Sequence, residues 1–164
     1  MDNNSRITEL AGVLGDKLVA QELTVTAAES CTAGGIAEAI TRIPGSSRWF
    51  EVGFVTYSNH AKSRLLAVDE GLIASVGAVS QGVVEQMADG ALLESQADIA
   101  VAVSGIAGPD GGTAEKPVGT VWFAWARDDG EIISEKKQFN GDRLSVRQQA
   151  VIVALEGLIE LIDR

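Results

Sequence analysis

Ile7, Leu10, Ala11, Leu14, Leu18 and Val19 recur at three- and four-residue intervals, so residues 5–21 read as an amphipathic helix. Leu23–Ala28 then reads as a short strand. The helical period returns from Thr32 to about Thr41 and breaks at Ile43-Pro44-Gly45-Ser46-Ser47, where proline and glycine set a turn. Glu51–Tyr57 predicts a second strand, and Asn59–Leu66 and Asp69–Val76 predict short helices. Ser80 stands where the N-cap of a helix over 81–95 belongs. Ala97–Ser104 is an unbroken run of small, mainly apolar residues, the pattern of a strand buried on both faces. Val118–Ala126 and Glu131–Phe139 are joined by Arg127-Asp128-Asp129-Gly130 as an antiparallel hairpin. Val146, Ala150, Val153, Ala154, Leu158 and Leu161 then share one stripe of a closing helix over 145–162.

Strands alternating with helices and followed by a hairpin predict an α/β fold, a three-layer α/β/α sandwich with a mixed sheet. No internal repeat, linker or low-complexity tract divides residues 1–164, so one domain is expected. Composition narrows the partners. No apolar run approaches the ~20 residues that span a bilayer, and the first six residues lack the pattern of a signal peptide. A cytoplasmic protein without a membrane partner is expected. The formal charge of −10 argues against nucleic acid and anionic membranes, which call for clustered Lys and Arg. Cys31 is the single cysteine, so no internal disulfide forms, and with only His60 beside it no zinc site of soft ligands can be assembled. Neither a metal nor a cofactor is expected. Trp122, Phe123 and Trp125 crowd one late strand, more apolar surface than one small sheet face usually exposes, which predicts a homo-oligomer, a dimer.

In open α/β sheets ligands collect at the carboxyl ends of strands, and three unusual segments lie at such ends: 29–35, 57–62 and 104–113. Ser30 sits where a strand stops and a helix begins, under that helix's unpaired N–H groups and the positive end of its dipole. Tyr57 and Lys62 lie five residues apart downstream, and Ser, Tyr and Lys together can perform acyl transfer without histidine or metal. Backbone N–H groups at Cys31, Thr32 or Ala33 are candidate oxyanion donors. As a base Lys62 must lose its proton near pH 7–8, a shift that costs on the order of 3–5 kcal/mol and calls for burial or a nearby cation.

The loop from Gly105 to Gly112 offers N–H groups to an anion, although its glycine spacing matches no standard phosphate cradle. Lys116 re-enters a strand beside it, and Arg143 precedes the last helix as a bidentate phosphate donor. Each residue also has a purely structural reading. Ser30 or Thr32 can cap the helix, Tyr57 can be a half-buried strand-end aromatic and Lys62 an exposed helix residue. The glycine loop can be a hairpin-like excursion, and Arg143 a helix-start residue. Cys31, with no paired histidine, reads as a packed spectator, and His60 has no evident partner.

These residues occur in ordered motifs: Ala28-Glu29-Ser30-Cys31-Thr32-Ala33-Gly34, Pro44-Gly45-Ser46-Ser47, Val55-Thr56-Tyr57-Ser58-Asn59 with Lys62, Gly77-Ala78-Val79-Ser80, Ser104-Gly105-Ile106-Ala107-Gly108-Pro109 and Lys116-Pro117-Val118-Gly119. In these the chain resembles the CinA C-terminal domain family over about residues 7–162. Ser104 stands where many members have threonine, and Glu51-Val52-Gly53 replaces a more glycine-rich stretch. The resemblance implies hydrolysis of the carboxamide of nicotinamide mononucleotide to nicotinate mononucleotide and ammonia. It assigns Ser30 as nucleophile, Lys62 as general base and Tyr57 as the relaying or orienting group. It also implies that Ser46, Ser47 and the Ser104–Gly112 loop, with Ser104, Gly105, Ala107, Gly108 and Gly112, form the other side of the substrate pocket, to which the reading of the residues adds Cys31, Thr32, Lys116 and Arg143. Larger members carry an N-terminal pyrophosphatase domain, so a chain that starts at this module is expected to lack that activity. The alternative left open is a non-catalytic nucleotide-binding or regulatory module of the competence-associated type.

Overall fold

The computed structural model describes residues 1–164. Its chain order is α1 (Asn3–Gln21), β1 (Val25–Glu29), α2 (Gly35–Ile40), a 3-10 turn (Ser46–Arg48), β2 (Phe54–Val55), α3 (Asn59–Leu66), α4 (Glu70–Val76), α5 (Gln81–Ser95), β3 (Ile99–Gly105), β4 (Thr120–Arg127), β5 (Ile132–Gln138) and α6 (Arg143–Ile162). The five strands form one sheet in the order β2-β1-β3-β4-β5. β1 runs parallel to β2 and β3, whereas β4 runs antiparallel to β3 and β5. The three-layer mixed-sheet expectation therefore holds.

Side chains alternate across a strand, and here the two faces differ in size. Val101, Val103, Val121, Phe123 and Trp125 point into the larger core, with α1, α2 and α6. Ala28, Ala100, Ala102, Ala124 and Ala126 point the other way, against α5 and Leu66 of α3. The Trp125 indole N–H donates to the Ala154 carbonyl at 3.0 Å, and its ring stacks on Phe123. Phe123 and Trp125 are thus buried and Trp122 is half-buried, so the exposed aromatic surface that suggested a dimer is not present.

Several boundaries move for identifiable reasons. α1 starts earlier because Asp2 caps it, accepting the Ser5 N–H at 2.7 Å. The helix predicted from Thr32 starts only at Gly35, because Ala33 and Gly34 sit at φ 48° and 98°. The strand predicted over 51–57 shrinks to two residues at the sheet edge. Ser80 occupies the α5 N-cap position, but its hydroxyl donates to the Gly77 carbonyl instead of capping. No helix is long and apolar enough to cross a membrane.

Candidate active site

β1 ends at Glu29, and the next residues alternate as the strand did. Glu29 and Cys31 turn toward the α2 side, and Ser30 turns toward α3. There the Lys62 amine lies 2.9 Å from Ser30 Oγ. The same amine donates to the carbonyls of Thr56 at 2.9 Å and Tyr57 at 3.1 Å. Lys62 is only 1% exposed and Ser30 8%. Lys62 forms no ion pair. Burial without a counter-charge lowers its pKa from 10.5 to about 8. As an ammonium it has three N–H groups for these three oxygens. As an amine it has two for the carbonyls and a lone pair for the Ser30 hydroxyl. The exposed-lysine reading fails.

The helix cap is neither Ser30 nor Thr32. Glu29, 1% exposed, caps α2: its Oε1 accepts the Thr32 hydroxyl at 2.6 Å and the N–H groups of Gly34 and Ile36, and its Oε2 accepts the Ala37 N–H at 3.0 Å. Ser30 is thereby released from structural duty. Of the three proposed oxyanion donors, Ala33 gives its N–H to the Ser30 carbonyl, while those of Cys31 and Thr32 meet no acceptor on another residue. The Cys31 thiol is packed into the core, and burial pushes its pKa up to about 12, so it is no nucleophile.

A cleft of about 280 Å³ opens over this pair, and it gathers Ser30, Cys31, Tyr57, Lys62, Ser104, Gly105, Ala107, Gly108 and Arg143. The convergence expected of three strand ends is therefore present. Tyr57 enters differently than expected. Its backbone carbonyl meets both Lys62 and, at 3.4 Å, the Ser30 hydroxyl, whereas the residue as a whole is 57% exposed and its phenol accepts from Arg143 at 3.1 Å. Arg143 also donates to the Gly108 carbonyl at 2.8 Å, so it is both the first residue of α6 and the link from helix to glycine loop. The N–H groups of Ala107, Gly108, Asp110 and Gly111 have no protein acceptor.

The remaining candidates lie elsewhere. Ser46 and Ser47 belong to the turn leading to Phe50, which pairs with Val25 at the amino end of β1, opposite to Ser30. Thr32 is buried in its bond to Glu29, and its carbonyl accepts from Arg147. Gly112 packs against Val118. Lys116 donates to the Val76 carbonyl at 2.6 Å, closing the end of α4. Sequence reasoning passed over Asn59, Ala78, Val79, Ile106, Asp110 and Gly111, which line the cleft. Asn59, Ile106, Asp110 and Gly111 fall inside the strand-end segments already singled out, so the strand-end argument itself could have included them, whereas Ala78 and Val79 come from the connection before α5, which that argument does not reach. No group of three or more His, Cys, Asp or Glu is placed to hold a metal ion.

The model of the CinA C-terminal domain matches residues 7–162. A nicotinamide-nucleotide amidohydrolase, PncC, of Pseudomonas putida is 61% identical over 155 residues, covering 94% of this chain and 96% of that one. Its namesake in Escherichia coli K12 is 55% identical, with 94% of each chain covered. The crystal structure of a competence/damage inducible protein, CihA, from Agrobacterium tumefaciens superposes with a TM-score of 0.94 at 44% identity, over 97% of this chain and 96% of that one. The chain belongs to the CinA C-terminal domain family.

Proposed function

We propose that this protein is a nicotinamide-nucleotide amidohydrolase, converting nicotinamide mononucleotide to nicotinate mononucleotide and ammonia in pyridine nucleotide recycling. The observation that carries the reading is the buried Lys62 amine, which has no counter-charge and lies 2.9 Å from Ser30 Oγ, in a chain 61% identical to a relative of that name. Neutral Lys62 takes the Ser30 proton as Oγ attacks the carboxamide carbon. Charge gathers on the carboxamide oxygen, toward which the Cys31 N–H is a candidate donor. The tetrahedral species collapses when the Lys62 ammonium protonates the departing nitrogen, leaving ammonia and an ester on Ser30. Water, deprotonated by the same amine, then releases nicotinate mononucleotide.

Arg143 and the unpaired N–H groups from Ala107 to Gly111 are the groups suited to the phosphate. The Tyr57 phenol, held by Arg143, orients the substrate at the rim. The test is ammonia release by purified protein from nicotinamide mononucleotide and from its unphosphorylated riboside. Wild type should prefer the nucleotide, and Ser30→Ala should lose at least about 10³-fold in kcat. Undiminished turnover by Ser30→Ala would end the mechanism, and tight nucleotide binding without ammonia would favour a non-catalytic module.

A further inference from the structure

Glu29 is a charged residue whose carboxylate the reaction does not use, yet it is shut in the interior with four hydrogen-bond donors converging on it. Burying an ionised carboxylate is costly unless its oxygens are bonded, so the contacts that retain it also fix whatever they touch. What they touch is the turn after Ser30. Thr32, Gly34, Ile36 and Ala37 are gathered onto one side chain, which takes the chain through two consecutive left-handed residues. For Ala33 that conformation costs about 1–2 kcal/mol, a strain held in place here by the bonds on either side of it. With α2 capped by Glu29, the N–H of Cys31, a residue only 6% exposed that lines the cleft, is left with no acceptor on any other residue. An unpaired donor so placed is unfavourable until an incoming group accepts it. Glu29 reaches the base as well. Its backbone carbonyl accepts the Thr56 N–H at 2.8 Å, and the Thr56 carbonyl holds Lys62.

We propose that Glu29 is the positioning residue of this site: its carboxylate holds the Cys31–Gly34 turn so that the Cys31 N–H stays available to the oxygen that gains charge when Ser30 attacks. Glu29 meets no substrate and acts through the turn. The inference rests on Ser30 being the nucleophile, as proposed above.

The full-length Glu29→Gln variant removes the charge and sets an amide N–H₂ against one of the four donors while nearly preserving shape. A donor that engages only the transition state leaves ground-state binding alone. The expected result is therefore a fall in kcat and kcat/KM together, roughly tenfold to a hundredfold, with nicotinamide mononucleotide affinity by calorimetry unchanged. Labelling of Ser30 by an alkyl fluorophosphonate should slow in parallel. In that step an Oγ–P bond forms, fluoride leaves and Lys62 takes the hydroxyl proton. An unchanged kcat would overturn the proposal, and so would nucleotide affinity falling by the same factor as kcat/KM, the mark of a cleft merely deformed. If Glu29→Gln does not fold, Thr32→Val removes one donor and leaves the charge. It should give the same pattern more weakly, and overturns the proposal on the same terms. A wild type that is labelled at Ser30 but releases no ammonia from the nucleotide fails the substrate assignment alone, and the labelling rates then decide Glu29. A wild type inert in both assays overturns both readings.

Discussion

The two faces of the sheet are built to different scales. Toward α1, α2 and α6 the strands present Val, Ile, Phe and Trp, and toward α3, α4 and α5 mainly Ala. The large face holds most of the apolar core, as its 26-residue cluster against 13 on the other side indicates. The small face allows close approach. α5 lies on Ala100, Ala102 and Ala124, and α3 follows until Gly90 meets the Leu66 carbonyl with no room for a side chain. Lys62, the proposed base, rides on α3, so the thin layer brings an amine beneath the strand end while the thick layer holds most of the apolar core. Ser30 faces the thin side and the Glu29 carboxylate the thick one.

The largest expected effect breaks the thin side chemically. Lys62→Met should reduce ammonia release at least about 10³-fold in a chain that still folds, and substantial turnover would remove the lysine from the mechanism. The same residue sets the pH behaviour, since wild-type kcat/KM should rise as pH passes about 8 and then level off. Stability should follow with a definite sign. Lys62 releases its proton at about 8 folded and near 10.5 unfolded, so below pH 8 both states are protonated and the burial penalty stands in full. Between those values the unfolded chain binds more protons and the unfolding free energy rises with pH. Chemical denaturation across that window should give a rise of roughly 2–3 kcal/mol that Lys62→Met lacks.

On the thick side Phe123→Ala should cost about 3–5 kcal/mol in denaturant titration while leaving kcat of the folded protein intact. A comparable loss of kcat would mean that the two faces do not divide the work. Gly90→Ala should cost less, about 1–3 kcal/mol, yet lower kcat by displacing α3, and full activity in that variant would separate the base from the closeness of α5. The smallest effect is none. EDTA should leave turnover unchanged, and a loss restored by a divalent ion would indicate a hydrolase of another kind.

The sequence made the layers legible because long helical stripes and the β3 run are strong periodic signals. It was weaker where one residue serves two elements. Glu29 reads as the last residue of a strand, and nothing local says that its carboxylate caps the next helix, because the donors lie three to eight positions ahead. Tyr57 stood out for its phenol, while the atom that meets Ser30 and Lys62 is a carbonyl every residue has. Ser46 and Ser47 carry the right chemistry at the wrong end of β1, and only the pairing of Phe50 with Val25 tells the ends apart. Lys62 and Ser104 were readable as candidates because both follow or end strands on the cleft side.

Two of the three oxygens around the Lys62 amine belong to consecutive peptide units, and in the mechanism proposed above neither of them changes. Only the third, on Ser30, is consumed. When the hydroxyl becomes an ester the amine keeps its two anchors and its place, and the vacated direction points to where the hydrolytic water must arrive. One fixed amine can therefore serve acylation and deacylation in turn, with no side chain exchanged between the two halves of the cycle.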